Sequence, residues 1–185
     1  LMNGRPVERT GNQSSLGAAA PSELYQCKPG GPNDWIMVYS TRAGNWHWQR
    51  LLKLMGREDL AEDPRFATPK MRVKNAPVVD ALVAEWCTKR TKVEAMETLQ
   101  NAGVPAGAVF DTQELMNDPN LRKRGMFEEI EHPTRGKFHI PGWPVKMSDS
   151  RVPVKCAPLL GQHTAELLSE WLGMGEAEIQ EYIKE

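Results

Sequence analysis

The sequence predicts an α+β fold in which helices surround a small antiparallel sheet. Short apolar runs bounded by turn residues alternate with longer segments whose apolar residues recur at helical spacing. The chain has 185 residues, of which 40% are hydrophobic, so it is long enough to bury a substantial core.

The first predicted strand follows a cluster of turn residues. Pro29–Val38 reads PGGPNDWIMV. A phosphate-binding loop needs a further glycine, then Lys followed by Ser or Thr, and then a helix, and none of these follows. The prolines, the glycines, Asn33 and Asp34 are typical of a turn, and Trp35–Tyr39 is the apolar run of a buried strand. The glycine pair is therefore interpreted as a turn into a strand.

Three helices are predicted in the middle of the chain. Two of them are indicated by apolar residues at helical spacing: Trp48, Leu51, Leu52 and Met55, and then Val79, Leu82, Val83 and Trp86. Gly56 can end the first helix. Thr91 and Glu94 have the spacing of a capping box, which begins a third helix that ends at Gly103. Residues 62–72, EDPRFATPKMR, contain two prolines and are predicted to form a loop.

The C-terminal part of the chain combines short strands with helices. VPAGAVFD (104–111) is predicted to form a strand, and DTQE (111–114) to begin a helix. The segments 126–131 and 137–140 flank HPTRG, which is typical of a hairpin turn. Two final helices are predicted from their apolar spacing: one contains Leu167, Leu168 and Trp171 and ends at Gly173, and the other contains Ile179, Tyr182 and Ile183.

The predicted organisation has three parts. Residues 1–22 lack a hydrophobic pattern and are rich in Gly, Asn, Ser and Ala, which is typical of a linker. Residues 23–156 are predicted to form a small α+β domain. Residues 157–185 are predicted to form the C-terminal helices.

Composition argues against several classes of function. The formal net charge of -1 makes nucleic acid or an anionic membrane a poor main partner. No apolar run approaches the roughly 20 residues of a membrane-spanning helix, and no charged-then-apolar leader is visible. Cys27, Cys87 and Cys156 show no Cys-x-x-Cys spacing, which fits a reducing compartment better than a disulfide framework. A cytoplasmic location is therefore expected.

Residue patterns reveal no complete active site. The four histidines lack metal-ligand spacing and no Gly-x-Ser-x-Gly elbow is present, so neither a catalytic residue nor a metal site is predicted. His47, in NWHWQ, lies on the first helix, and core packing with an exposed imidazole is the favoured interpretation. LRKRG (121–125) could bind an anion, although a charged helix end before glycine is ordinary. Cys87, beside Trp86, is expected to be buried and inert.

Several longer motifs occur together and in a particular order. They are RTGNQ (9–13), PGGPNDWIMV, MGREDLAEDPRFATPKMRVKN (55–75), NAGVPAGAVFDTQELMNDPNL (101–121), RGMF, HPTRGKFHIPGWPVKMSDS and APLLGQHTAELL (157–168). This ordered set resembles the C-terminal half of a family III CoA-transferase, the CaiB/BaiF family. The Gly-Gly-Pro-Asn-Asp turn and the phrase LAEDPRFAT are most similar to the formyl-CoA:oxalate CoA-transferase branch.

The resemblance implies a mechanism and partners. In this family an aspartate carboxylate attacks an acyl-CoA thioester, and an aspartyl-CoA intermediate then passes CoA to an acceptor acid. That aspartate belongs to an N-terminal Rossmann-like half, which no segment of this chain matches, so no residue here is assigned a catalytic role. The resemblance further implies a coenzyme A thioester as substrate, no tightly bound cofactor, acyl-CoA and carboxylic acid partners, and a homodimer.

A substrate-gating loop is the one site that the resemblance places in this chain. Formyl-CoA transferases have a glycine-rich loop shortly after the GN motif, and the aligned residues here are Gly17, Ala18, Ala19 and Ala20. Only one glycine remains, and alanine tolerates positive φ far less than glycine does. An ordinary linker loop is the alternative.

Three functions remain open from the sequence. The isolated chain can be an inactive portion of a CoA-transferase, a non-catalytic binding or assembly module, or part of an acyl-CoA racemase of the same family. The first is the favoured interpretation, because the nucleophilic carboxylate is expected upstream of RTGNQ.

Overall fold

The computed structural model describes residue 9, residues 11–13 and residues 19–184. The backbone falls into two compact units, Leu1–Asp111 and Thr112–Glu185, and each is described by itself. This boundary lies within the segment 23–156 that the sequence suggests as one domain. The three-part organisation of the chain stays a prediction.

The described part of the first unit contains an antiparallel sheet and the helices that pack on it. Its elements, in chain order, are β1 (Ser22–Gln26), β2 (Trp35–Tyr39), α1 (Trp46–Met55), a short 3₁₀ helix (Glu58–Leu60), α2 (Pro69–Lys74), α3 (Ala76–Cys87), α4 (Lys92–Asn101) and β3 (Ala106–Ala108). The strands lie in the order β1-β2-β3. Tyr25 is opposite Ile36, and Val38 is opposite Ala106.

The core of this unit lies between one face of the sheet and the helices. Along β2, Ile36 and Val38 are fully buried, whereas Trp35, Met37 and Tyr39 alternate with them and lie on the opposite face. Large side chains from the helices complete the core: Trp48, Leu51, Leu52, Val79, Val83 and Leu99. Burial of each such side chain contributes about 1.5–3 kcal/mol. The helices therefore cover one face of the sheet and leave the other accessible.

The glycine pair forms the turn between β1 and β2, as predicted. Gly30 has a φ of +98°, a conformation that favours glycine. The carboxylate of Asp34 accepts a hydrogen bond from the backbone N–H of Gly31 at 2.7 Å. The N–H of Cys27 donates to the carbonyl of Asp34 at 2.7 Å and closes the hairpin.

The helix ends follow the capping signals of the sequence. Gly56 has a φ of +65° and ends α1, and Thr91 and Glu94 form a complete capping box at the start of α4. The prediction of a loop over 62–72 is wrong at its C-terminal end, because α2 begins at Pro69. Thr68 caps that helix by accepting a hydrogen bond from the N–H of Met71, and proline suits the first helical position because its missing N–H has no partner there.

The second unit contains a two-stranded hairpin with short helices before and after it. Its elements are α5 (Thr112–Asn117), α6 (Pro119–Lys123), β4 (Phe127–His132), β5 (Gly136–Pro141), α7 (Thr164–Leu172) and α8 (Glu176–Lys184). Residues 133–135 form the turn of the hairpin, as HPTRG predicts. Gly173, with a φ of +66°, ends α7. The α+β class with small antiparallel sheets is confirmed.

The last two helices expose large apolar side chains. Trp171 on α7 and Tyr182 on α8 are 77% and 63% exposed, and Leu168 is half-buried. Among the described residues, the helices are all too short or too polar to cross a bilayer.

Candidate functional site

The predicted gating loop ends at the edge of the core. Gly17 and Ala18 lie outside the described residues. Ala19 is half-buried, and Ala20 is only 3% exposed and packs in the core. The carbonyl of the next residue, Pro21, accepts a hydrogen bond from the N–H of Ser40 at 2.9 Å. The chain is therefore fixed to the end of β2 directly after Ala20.

The GN motif fixes the chain on the other side of this loop. Gly11 has a φ of +65°, and the next residue, Asn12, lies against the outer edge of β1. Asn12 Oδ1 accepts a hydrogen bond from the N–H of Leu24 at 3.0 Å, and Asn12 Nδ2 donates to the carbonyl of Leu24 at 2.7 Å. One side-chain amide thus satisfies both outward backbone groups of Leu24, as a neighbouring strand would do.

A concave, mainly apolar surface lies beside Asn12 on the accessible face of the sheet. It encloses about 680 Å³ and is lined by Gly11, Asn12, Ser22, Glu23, Leu24, Trp35, Met37 and Val109. The alternation of side chains along β2 places Trp35 and Met37 here and leaves Ile36 in the core. Concave apolar surfaces with a few polar groups are typical of ligand sites. This cavity, lined in part by Gly11 and Asn12 of the GN motif, is the candidate functional site.

Glu23, Tyr25 and Asp80 form a polar cluster at the side of this cavity. Tyr25 Oη donates a hydrogen bond to Asp80 Oδ1 at 2.6 Å and so joins β1 to α3. Burial raises the pKa of Asp80 and of Tyr25, and burial together with the nearby Asp80 carboxylate raises the pKa of Glu23. Shifted carboxyl pKa values occur both at catalytic sites and in structural pairs. Here burial accounts for the raised pKa of Asp80 and Tyr25, while the hydrogen bond from Tyr25 acts to lower the pKa of Asp80. The cluster is therefore interpreted as a structural pair that joins β1 to α3.

The arrangement can shelter an apolar ligand segment but lacks an activated nucleophile within its described lining. Glu23 is the carboxylate on that lining, and the shift of its pKa favours the protonated form rather than a nucleophilic one. Asn12 already uses both ends of its amide on Leu24. The described lining therefore offers an apolar surface and no activated reacting group.

The two tryptophans beside His47 differ in burial, because Trp46 is 49% exposed and lies edge-on to the His47 ring. Trp48 is buried in the core, and His47 Nδ1 accepts a hydrogen bond from the N–H of Thr41 at 3.1 Å. Burial lowers the pKa of His47, with a smaller effect of Arg50. The packing interpretation of NWHWQ is confirmed for Trp48. The prediction of an exposed imidazole is wrong, because His47 is half-buried.

The cysteines of the first unit are buried thiols. Cys27 and Cys87 lie in the core without a disulfide. Burial raises the pKa of both, that of Cys87 to about 12, so neither is a thiolate near neutral pH. The prediction that Cys87 is buried is confirmed. Over residues 11–13 and 19–184, no group of three His, Cys, Asp or Glu side chains is arranged to hold a metal ion.

The comparisons with known proteins identify the family. The sequence profile of CoA-transferase family III matches residues 1–164. The chain is 39% identical over 177 residues to the formyl-CoA:oxalate CoA-transferase of Streptomyces coelicolor, covering 96% of this chain and 42% of that protein. It is 36% identical over 180 residues to the enzyme of the same name from Rhodopseudomonas palustris strain CGA009, covering 96% of this chain and 41% of that protein.

Solved structures show the same fold. A CaiB/BaiF family protein from Brucella suis superimposes with a TM-score of 0.77 at 25% identity, covering 91% of this chain and 42% of that one. The chain belongs to CoA-transferase family III, and the predicted resemblance is confirmed. It spans about two fifths of the length of the curated relatives that it matches.

Proposed function

We propose that the protein to which this chain belongs transfers CoA from an acyl-CoA thioester to a free carboxylic acid. The observation that carries the proposal is the family match over residues 1–164. The relatives named formyl-CoA:oxalate CoA-transferase, at 36–39% identity, favour a transferase over a racemase and over a non-catalytic module. Formyl-CoA and oxalate are accordingly the first donor and acceptor to test.

The proposed chemistry proceeds through an aspartyl-CoA intermediate. A carboxylate attacks the thioester carbonyl, expels the CoA thiolate and forms a mixed anhydride. The thiolate then attacks the aspartyl carbonyl of that anhydride and releases the donor acid as its carboxylate. The acceptor acid repeats the two steps in reverse and leaves with CoA. The nucleophilic aspartate lies outside this chain in the proposal.

This chain is proposed to supply a wall of the substrate site. The cavity beside Asn12 is mainly apolar. The loop 17–20, which follows the GN motif in the sequence, is proposed to gate access to the thioester. Sheltering a thioester from water prevents its hydrolysis and strengthens the electrostatic interactions around it. The homodimer, the cytoplasmic location and the absence of a tightly bound cofactor stay predictions.

The test compares two proteins in one assay. The complete protein, incubated with formyl-CoA and oxalate, should produce oxalyl-CoA and formate, whereas the purified 185-residue chain should not. Chromatography of the CoA thioesters measures both reactions. Exchange by the isolated chain would contradict the upstream location of the nucleophile. Failure of the complete protein with every acyl-CoA and acid pair, while its fold is intact by circular dichroism, would contradict the transferase assignment.

A further inference from the structure

The motif LRKRG, which the proposed function does not use, lines a cavity in the second unit. The cavity encloses about 400 Å³ between the end of α6, the start of β4 and residues 143–152. Lys123 and Arg124 reach it from the end of α6, and Lys146 and Arg151 from the later segment. Glu128 is the acidic residue of this described lining. Four cations therefore surround one carboxylate in a chain whose formal net charge is -1.

The fold holds the two basic segments together. The N–H of Gly142 donates to the carbonyl of Met126 at 2.9 Å. Lys146 Nζ donates to the carbonyl of Gly125 at 3.1 Å, so residues 143–152 lie against the end of LRKRG. Gly125 has a φ of +62°, and a Cβ at that position would meet Lys146 Nζ at 3.2 Å. Glycine at the end of the motif thus permits the close approach of Lys146.

The positive charges of this cavity are not neutralised within the described residues. None of the four basic side chains has an ion-pair partner there, whereas Lys89 and Lys137 elsewhere pair with Glu85 and Glu129. Like charges held near one another repel, and a bound anion removes that repulsion. An ordinary charged helix end would need only Lys123 and Arg124 and does not explain Lys146 and Arg151.

An aromatic ring and two hydroxyl groups complete the lining. Trp143 is 49% exposed, and Ser148 and Ser150 lie on the same segment as Arg151. Arginine and serine are common donors to phosphate oxygens, and an exposed indole can stack on a planar base. From these observations we propose that this cavity binds the phosphate groups of a nucleotide-like anion, with Trp143 beside the base. The proposal rests on residues of the second unit and not on the CoA-transferase assignment.

The experiment measures binding of pyrophosphate, ADP and adenosine to the 185-residue chain by calorimetry at low salt. Pyrophosphate and ADP should bind, adenosine alone should not, and salt should weaken binding because exposed charges are screened. ADP binding more tightly than pyrophosphate identifies a nucleotide as the source of the phosphates. Equal affinities support the phosphate site but overturn the part of the proposal that places a base beside Trp143.

Matched variants locate the site. The double variant Arg124→Gln/Arg151→Gln should weaken ADP binding about thirtyfold, because roughly 1 kcal/mol per surface charge amounts to roughly 2 kcal/mol for the pair. Arg135→Gln/Lys155→Gln removes the same charge from exposed positions outside the cavity and should change binding less than twofold. Circular dichroism and thermal melts of all three proteins exclude unfolding as the cause.

Three results would overturn the proposal. One is the lack of saturable binding of pyrophosphate and ADP up to about 10 mM. Another is an equal loss of binding in the two double variants, which would show a non-specific effect of net charge. The third is binding of polyglutamate but of neither phosphate compound, which would mark the patch as a surface for an acidic protein.

Discussion

Arg72 is the fully buried cation of the first unit's core, and its replacement tests how that core is built. Its Nη1 donates to the carbonyl of Phe66 at 2.8 Å and to Asn45 Oδ1 at 3.0 Å, and its guanidinium carbon lies 5.5 Å from the ring centroid of Trp48. Nε has no partner within the described residues. We expect Arg72→Ala to destabilise the unit by about 3–4 kcal/mol, and Arg72→Met by about 1–2 kcal/mol.

The magnitudes follow from two opposing contributions. Hydrogen bonds from a charged donor contribute about 1.5–3 kcal/mol each. Against them, burial lowers the pKa of Arg72 to about 10, which corresponds to about 3 kcal/mol by which the interior disfavours the charged form. At the lower end of that range the two hydrogen bonds, together about 3 kcal/mol, nearly offset this cost. The packing of the long side chain then decides the outcome. Methionine keeps most of that volume, whereas alanine leaves a cavity.

Urea unfolding of the two variants and the wild type, followed by tryptophan fluorescence and circular dichroism, measures these differences. The two signals also report whether the two units unfold together. Equal losses for Met and Ala would refute the argument from packing. A loss below about 0.5 kcal/mol for Ala would refute the view that Arg72 links α1, α2 and the segment between them.

Three further predictions concern pH, association and turnover. Asp80→Asn should remove one contribution to the pH dependence of stability. Because the folded pKa of Asp80 is raised, its contribution to the free energy of unfolding falls as the pH rises from about 4 through that pKa and is constant above it. Urea titrations that show the same pH profile in both proteins would contradict this. The isolated chain should self-associate through the exposed Trp171 and Tyr182, and Trp171→Glu should weaken this association. Sedimentation that shows a monomer of the wild-type chain at high concentration would count against the prediction. If the complete protein is the proposed transferase, Ala19→Val should slow its turnover with little loss of stability, whereas Ala20→Val, in the core, should cost about 1–3 kcal/mol of stability. Unchanged turnover of Ala19→Val with several acyl donors would favour the linker interpretation of the loop.

Local signals in the sequence predicted most helices and one hairpin. The capping box at Thr91, the glycine at 56 and the HPTRG turn each act within a few residues, so the sequence displays them directly. The sequence prediction misses α2 although Thr68 caps it, since Pro69 follows this cap and is assigned to a loop.

Strand β1 and the candidate site depend on contacts between distant residues. Ser22–Gln26 has no clear alternation, because Leu24 and Tyr25 are adjacent and point to opposite faces. Its pairing with β2 and the amide of Asn12 stabilise it as a strand. The pair formed by Tyr25 and Asp80 spans 55 positions of sequence, a separation at which spacing rules carry no information.

The two attachments on either side of the loop 17–20 have a consequence for divergence among relatives. Asn12 and Pro21 each bond to the sheet on their own account, so the register of β1 and β2 does not depend on the number or kind of residues between them. Doubling the length of a connecting segment costs only about 0.6 kcal/mol. We therefore expect insertions, deletions and exchanges between alanine and glycine to be tolerated there without loss of the fold as far as Ala20, whose burial in the core restricts that position.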